Sequence, residues 1–322
     1  ANTTGTNNVA VGYAALDAIT TGNNSTAVGY NALSADTGGF NVGIGYTAGA
    51  AVSTGTRNTA VGPSALDAAT TGNDNTAVGA NALGAATTSS SNTAIGSYAL
   101  QLCTTGTENT AVGYTALDAV TTTSSNTAVG HNALTANTAS DNTAFGRHAL
   151  YANTTGTPNT AIGLNALAAN TTGANLTAVG YGALDANTTA ADNTAVGHNA
   201  LGANTTGVQL TAVGYGALAS NTTANNNTAV GMGSLMVNTT GSENTAMGIE
   251  ALTACTTAAS NTAFGKSALG GLTTSGDNTA LGKAAGASLT TGAGNTIIGA
   301  DADIYAVNSA NNIIIGNGCK GV

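Results

Sequence analysis

The sequence predicts an all-β protein whose chain winds into a parallel β-solenoid of about nineteen coils, each of roughly 17 residues. The segment Asn-Thr-Ala-Val-Gly, or a close variant, recurs nineteen times, and the numbers of its last glycine differ by 17 between successive copies, except for two differences of 16. This period is too short for helical-hairpin or leucine-rich repeats, whereas stacked coils with parallel strands about 4.8 Å apart fit it. The glycines that end the segments are Gly12, Gly29, Gly45, Gly62, Gly79, Gly96, Gly113, Gly130, Gly146, Gly163, Gly180, Gly197, Gly214, Gly231, Gly248, Gly265, Gly282, Gly299 and Gly316.

The composition supports a regular arrangement of small side chains. The 322 residues include 45 Gly but only 4% aromatic and 6% charged residues, which excludes a conventional core of large side chains. A disordered chain would be rich in charge and Pro, and this chain has 2 Pro. We therefore expect residues 1–322 to form one solenoid domain, with residues 300–322 as its terminal or capping repeat.

Each position of the repeat has its own chemistry when it is counted from the recurring glycine, which we call position 0. Position −1 is apolar in all nineteen repeats, position −2 is Ala in sixteen, and position −3 is Thr in sixteen. Position +4 is Leu in fifteen repeats. Alternation along a strand places −1 and −3 on one side and −2 on the other. We expect both sides to be covered, with position −1 buried and the Leu at +4 as a second inward anchor.

Position −4 is Asn in sixteen repeats, and the exceptions are Ser25, Leu176 and Leu210. A stacked column of Asn lets each side-chain amide bond to the next coil. Asn also tolerates the left-handed backbone conformation that a corner requires. The pattern therefore predicts an Asn ladder along one corner of the solenoid.

The charge balance limits the class of partner. The net charge of −9 excludes nucleic acid as an expected partner, because phosphates require a basic surface. No apolar run approaches the roughly 18 residues that span a bilayer, and the first residues lack the pattern of a signal peptide. The chain starts inside its own repeat pattern, from which we expect a processed or partial product. The three cysteines, Cys103, Cys255 and Cys319, are far apart and predict neither a disulfide framework nor a metal site.

The repeat unit resembles a known family. Residues Asn126 to Leu134, with His131 where other copies have Tyr, are similar to the head repeats of YadA-like trimeric adhesins and to repeats of bacteriophage tail fibres that carry an intramolecular chaperone. The segment Asn311 to Gly318 resembles a terminal head repeat of that family. The resemblance implies a left-handed parallel β-roll, commonly three chains side by side, displayed outside the cell or on a virion and used for attachment. The alternative is a wider monomeric coil that packs its Val face inside.

One departure concerns the length of the repeat. Head repeats of that family are typically shorter than the repeat of this chain. The Thr-Thr segment of this chain therefore looks like an enlarged loop or an extra strand.

Catalytic chemistry is not predicted, and we expect no enzyme and no cofactor. His131 and His198 occupy position +1 four coils apart, roughly 19 Å by stacking distance, so they cannot share a metal ion within one chain. No Ser or Cys nucleophile lies near a His and an orienting acid in the repeat pattern. Asp67 and Asp74 bracket one loop, where loose Ca²⁺ binding is the alternative to a solubilising role.

Position +1 is the most variable and holds most of the tyrosines. Aromatic side chains in an exposed file are typical of a carbohydrate-binding or partner-binding face, because a ring supplies apolar area together with a hydroxyl. The alternative is a packed ladder between coils. The candidate surface-binding residues are Tyr13, Tyr30, Tyr46, Tyr114, Tyr181 and Tyr215.

Thr pairs form another file, and in six consecutive coils an Asn precedes the pair to give the acceptor pattern for N-glycosylation. Thr files on a β-solenoid also suggest ice binding, but that requires two outward Thr separated by one residue. Adjacent Thr on a strand should point in opposite directions. The candidate glycosylation sites are Asn153, Asn170, Asn187, Asn204, Asn221 and Asn238.

These patterns predict a structural extracellular, cell-surface or virion fibre, a rod or spacer with an adhesive role that self-associates as a trimer or filament. The alternatives are a self-assembling glycosylated extracellular filament subunit and a carbohydrate-binding or ice-binding solenoid surface. Expected partners are copies of the chain and cell-surface glycans or a receptor, without nucleic acid or membrane insertion. The sequence does not identify the receptor.

Overall fold

A computed structural model describes residues 2–321 and confirms the predicted fold class. Nineteen short parallel strands form about 18 turns of a β-solenoid with about 17 residues in each turn, and the described residues contain no helix. The chain falls into two compact units, Ala1–Pro158 and Asn159–Val322. The repeat pattern continues through residue 158 and gives no sign of this division.

In the first unit each coil contributes one three-residue strand. Neighbouring strands pair in parallel and in register, as in Thr59↔Thr76 and Val61↔Val78. The strands are β1 (Val9–Val11), β2 (Thr26–Val28), β3 (Val42–Ile44), β4 (Thr59–Val61), β5 (Thr76–Val78), β6 (Thr93–Ile95), β7 (Thr110–Val112), β8 (Thr127–Val129) and β9 (Thr143–Phe145).

The second unit repeats the same parallel pairing, and residues 300–321 add a separate two-stranded pair in which Asp303 lies opposite Lys320. The strands are β10 (Asn159–Ile162), β11 (Leu176–Val179), β12 (Thr194–Val196), β13 (Thr211–Val213), β14 (Thr228–Val230), β15 (Thr245–Met247), β16 (Thr262–Phe264), β17 (Thr279–Leu281), β18 (Thr296–Ile298), β19 (Asp303–Ile304), β20 (Ile313–Ile315) and β21 (Lys320–Gly321).

The Thr-Thr segment does not form an extra strand. Thr171 and Thr172, for example, lie in a bend, where both backbone N–H groups donate to the carbonyl of Thr188 in the next coil at 2.8 and 3.2 Å. The segment is therefore an enlarged loop that is held between coils by irregular hydrogen bonds. The length of the repeat reflects this loop.

The core of each coil is narrow, and in most coils it consists of small residues with one or two larger aliphatic side chains. Ala178 at position −2, Ala183 at +3 and Leu184 at +4 are all 0% exposed. The same three positions are buried in most coils of both units, which confirms the Leu as an inward anchor. Stability in such an array comes from stacking each coil on its neighbours.

The Leu at position +4 has an unexpected backbone conformation. All fifteen of these Leu residues have a φ of about +50°, as in Leu167 at 53° and Leu184 at 52°. The left-handed conformation costs a Leu about 1 kcal/mol, whereas complete burial of its side chain contributes about 2 to 3 kcal/mol. Burial therefore outweighs the local backbone preference, and residue-type propensities alone do not predict this turn.

The few changes of residue size in the core compensate each other. Ile297 takes the place of the usual Ala at position −2, and Gly286 takes the place of the usual Leu at +4. A Cβ at Gly286 would lie 2.9 Å from the Cδ1 of Ile297. The Ile side chain thus fills space that Leu occupies in other coils.

Position −1 faces outward, so the expectation that it is buried was wrong. Val11, Ile44 and Phe145 are 57%, 41% and 57% exposed. Because positions −2 and −4 point into the narrow coil, alternation along the strand turns −1 and −3 to the outside. Only one side of each strand is covered by the coil itself.

The Asn ladder at position −4 is confirmed. The Asn58 side chain is 1% exposed, and its Nδ2 donates to Asn41 Oδ1 at 3.3 Å and to the Gly72 carbonyl at 2.8 Å. The backbone N–H of Asn58 also donates to Asn41 Oδ1, at 2.9 Å. The left-handed residue is the one before the Asn, as at Arg57 with a φ of 58°, rather than the Asn itself. The corner is therefore one residue earlier than expected.

Ser25 interrupts this ladder and is compensated within its own coil. Its hydroxyl donates to Asp36 Oδ2 at 2.8 Å, and the carboxylate is fully buried. Asn41 Nδ2 and the N–H groups of Gly38 and Gly39 donate to Asp36 Oδ1 at 3.0 to 3.2 Å. A buried carboxylate is tolerated here because several donors satisfy it.

Candidate functional site

The outward side chains at positions −3 and −1 of the strands form a surface that we call the Thr-Val face. It contains no charged residue, and its most exposed members are aliphatic or aromatic. In the first unit its position −1 file is Val11, Val28, Ile44, Val61, Val78, Ile95, Val112, Val129 and Phe145. In the second unit the file is Ile162, Val179, Val196, Val213, Val230, Met247, Phe264, Leu281, Ile298 and Ile315.

The geometry of the Thr-Val face is set by the parallel sheet. Adjacent coils place identical positions in register, so equivalent side chains repeat about every 4.8 Å along each unit. Val213 and Leu281 remain 36% and 47% exposed. Large continuous apolar surfaces of this kind mark sites of interaction with other molecules.

The tyrosines at position +1 form stacked ladders. The Tyr13 and Tyr30 ring centroids are 5.3 Å apart with planes 12° from parallel, and Tyr30 and Tyr46 stack in the same way at 5.4 Å. Tyr181, His198 and Tyr215 form a second stack, in which the His198 ring centroid lies 5.0 Å from that of Tyr181 and 5.2 Å from that of Tyr215. Most ring faces in these two stacks therefore lie against a neighbouring ring, although the Tyr side chains remain exposed. This arrangement favours the packed ladder over a face on which sugar rings stack.

Tyr114 belongs to a third aromatic group that sequence reasoning did not assemble. Tyr114 stacks on His131 at 5.5 Å, and His131 lies 5.9 Å from His148 at a tilt of 51°. The His148 ring in turn lies 5.2 Å from that of Tyr151. His148 occupies position +2 and Tyr151 position +5, so a search within single positions of the repeat misses both of them.

The candidate N-glycosylation sites are buried. The Asn side chains at this position are 0% exposed and form a second internal ladder, in which Asn187 Nδ2 donates to Asn170 Oδ1 at 2.9 Å and to the Ala190 carbonyl at 3.2 Å. A glycan on Nδ2 is incompatible with this packing. The six residues Asn153, Asn170, Asn187, Asn204, Asn221 and Asn238 are therefore structural in the folded protein.

The Thr pairs lie at the surface of the coils. The second Thr of the pair, such as Thr172 or Thr189, is exposed, and the first is half-buried or exposed. The Thr171 hydroxyl donates to the Thr188 carbonyl of the next coil at 3.0 Å. The pairs lie in bends rather than in a strand, so strand alternation does not apply to them. In most of the pairs one hydroxyl joins neighbouring coils in this way.

Most charged side chains lie in loops. Partial burial raises the pKa of Asp67, Asp118 and Asp185 above the ordinary 3.8. Folding therefore favours their protonated form, and this contribution to stability declines as the pH rises above 3.8. The exposed Arg57 guanidinium lowers the pKa of Asp74 through a 2.5 Å ion pair. The contribution of this pair to folding stability is present above pH 3.8 and is lost as the pH falls.

The three thiols have different environments, which predicts different reactivity. Cys103 and Cys255 are buried, and burial raises the pKa of each thiol to about 11, whereas Cys319 is exposed. Because the thiolate is the reactive form, we expect a thiol reagent to modify only Cys319 in the folded protein. Mass spectrometry of digested, labelled protein measures this. Unfolding in urea before labelling is the control and should yield three labelled sites, and rapid native labelling of Cys103 or Cys255 would contradict the prediction.

Residues 2–321 enclose no pocket, and no group of three or more His, Cys, Asp or Glu side chains among them could hold a metal ion. The same residues include no helix of the length and apolar character needed to cross a membrane. No known family model and no curated protein sequence matches this chain.

Proposed function

We propose that this chain is a structural rod of an extracellular or virion fibre and that copies of it associate through the Thr-Val face. The observation that carries the proposal is the continuous file of apolar residues at position −1, each of which is half-buried or exposed in the single chain. A β-solenoid is typically a structural fold, and a long apolar surface in water is stabilised when another surface covers it.

A second copy of the chain is the occupant that fits this face best. Its own Thr-Val face has the same spacing between coils. The contact that forms between two copies at one coil can therefore recur at every coil of a unit. A standard interface buries about 800 Å² on each partner, and the face extends over all nine coils of the first unit. The absence of charge on the face removes repulsion between identical copies.

An adhesive role is the second part of the proposal. Its support is the resemblance of the repeat to adhesin heads and tail fibres, which present β-rolls outside the cell or on a virion. The positions that vary between coils, chiefly +1, supply Tyr, His, Arg and Lys at the rim of the Thr-Val face. A receptor or a cell-surface glycan would meet these side chains at their edges.

The test of self-association replaces three outward Val residues with Lys. In the triple variant Val179→Lys, Val196→Lys and Val213→Lys, each new cation would be desolvated inside the interface. We expect the dissociation constant of the oligomer, measured by sedimentation equilibrium, to rise at least tenfold. The coils themselves should remain folded, because these side chains point to solvent in the single chain.

The matched control places three Lys residues on another side of the same coils. Thr172→Lys, Thr189→Lys and Thr206→Lys change exposed residues of the bends and add the same charge. We expect this variant to associate as the unchanged protein does. A monomeric unchanged protein at every concentration, or equal weakening by both variants, would exclude the Thr-Val face as the interface.

A further inference from the structure

Tyr13, Tyr30 and Tyr46 form a continuous stack of three phenol rings on successive coils of the first unit. The centroids of neighbouring rings are 5.3 and 5.4 Å apart, and their planes lie 12° and 10° from parallel. The N–H of Asn31 donates to the Tyr13 carbonyl at 2.9 Å. The N–H of Thr47 donates to the Tyr30 carbonyl at 2.8 Å, so hydrogen bonds between coils hold the stack in place. Tyr30 therefore has a phenol ring on each side.

The three rings are accessible to reagents in solution and have room to move. Tyr13, Tyr30 and Tyr46 are 73%, 45% and 60% exposed. Exposed side chains change rotamer within picoseconds to nanoseconds. Two rings of the stack can therefore tilt towards each other while their backbones stay in register. A reaction between them does not depend on one fixed approach of their atoms.

The other tyrosines have different neighbours. Tyr98 is half-buried and meets Tyr114 edge-on, with centroids 6.0 Å apart and planes 85° from parallel. Tyr181 and Tyr215 are separated by the ring of His198. Within residues 2–321, face-to-face stacking of Tyr on Tyr is therefore confined to the first three coils.

We propose that Tyr30 is a site of oxidative cross-linking, where a one-electron oxidant such as a peroxidase with hydrogen peroxide joins it to Tyr13 or Tyr46 as dityrosine. Each of the two phenols gives up its O–H hydrogen atom, and these two atoms reduce one hydrogen peroxide to two water molecules. The two tyrosyl radicals then form a carbon–carbon bond between ring carbons adjacent to the hydroxyl-bearing carbons. The hydrogen on each bonded carbon moves to the oxygen and restores the phenol, so the product has lost two hydrogen atoms.

The stack favours coupling within one chain over coupling between chains. The backbone holds a radical on Tyr30 beside a second phenol, which gives that phenol a high effective concentration. The new bond joins two coils covalently and restricts the unfolded chain, as a disulfide does. It would therefore strengthen a structural rod. The cross-link does not involve the Thr-Val face, so its test is separate from that of self-association.

Treatment of dilute protein with a haem peroxidase and hydrogen peroxide, followed by unfolding and digestion with trypsin, tests the proposal. Trypsin cleaves after Lys and Arg, so the peptide of residues 1–57 carries all three rings of the stack. We expect this peptide to show dityrosine fluorescence and to lose the mass of two hydrogen atoms. The peptide of residues 58–147 carries the edge-on pair Tyr98 and Tyr114 and should yield at least fivefold less cross-link.

Tyr30→Phe is the decisive variant, because it keeps a ring in the stack but removes the phenol. We expect it to abolish the cross-link within residues 1–57, since Tyr13 and Tyr46 are two coils apart. Tyr13→Phe is the matched control and should still form the cross-link, because Tyr46 remains beside Tyr30. Absence of the cross-link from the unchanged protein, its persistence in Tyr30→Phe, equal yields from the two peptides, or bonds only between separate chains would overturn the assignment.

Discussion

Gly197→Ala is expected to lower the free energy of unfolding of its region by about 3 kcal/mol or more. Gly197 has a φ of 136°, a conformation that L side chains rarely adopt, and a Cβ would lie 2.4 Å from the carbonyl oxygen of Gly214 in the next coil. The backbone cannot move away without separating the two coils. Urea denaturation followed by circular dichroism measures the loss, and hydrogen exchange locates it in the coils on either side of residue 197.

The control is another Gly of the same coil. A Cβ at Gly202 would lie 3.4 Å from its nearest neighbour, the Asn199 carbonyl oxygen, which is an ordinary contact. We expect Gly202→Ala to change stability by less than about 0.5 kcal/mol, and a slight stabilisation fits the smaller entropy of the unfolded chain. If Gly197→Ala and Gly202→Ala unfolded at similar urea concentrations, the close approach of coils at position 0 would not limit stability.

Asn109→Ala is expected to cost about 3 kcal/mol, because it leaves several buried polar groups without partners. Asn109 Oδ1 accepts from the N–H and the Nδ2 of Asn126 at 3.0 and 3.2 Å. Its Nδ2 donates to Asn92 Oδ1 at 3.2 Å and to the Thr123 carbonyl at 2.9 Å. The side chain is fully buried, so water cannot replace these bonds. Hydrogen exchange should show faster opening from residue 92 to residue 126.

Gln101→Ala serves as the matched control in a neighbouring coil. Gln101 is half-buried at an outward position, and removing its amide should change stability by less than about 0.5 kcal/mol. If Asn109→Ala were equally mild, the Asn ladder would be a consequence of stacking rather than a source of stability.

Much of the fold follows from the repeat alone. The nearly constant period, the Ala at −2 and the Leu at +4 predicted the coil and its inward residues, and Leu184 and Ala178 are buried as expected. The Asn at −4 predicted the ladder. These predictions succeed because neighbouring coils impose the same environment on the same position, so a restriction on residue type reports directly on packing.

The candidate surfaces were less predictable. Position −1 is apolar throughout, which in a globular protein indicates burial, yet Phe145 and Val11 are each 57% exposed. The acceptor pattern at Asn170 and Asn187 suggested exposed amides, yet both side chains form an internal ladder. In each case the residue type can occur on the inside or on the outside of a coil, and only the direction of the side chain in the fold decides between the two.

The sequence by itself determined the coil, its length and the positions that repeat, because periodicity expresses how each turn stacks on the next. The tertiary structure alone decided which positions face outward. Each narrow coil encloses room for one or two larger aliphatic side chains and a few small ones, so the Val at −1 is turned to the surface. The tertiary structure also decided which residues meet across coils, as His131 and His148 do, since register depends on backbone pairing rather than on position in the repeat.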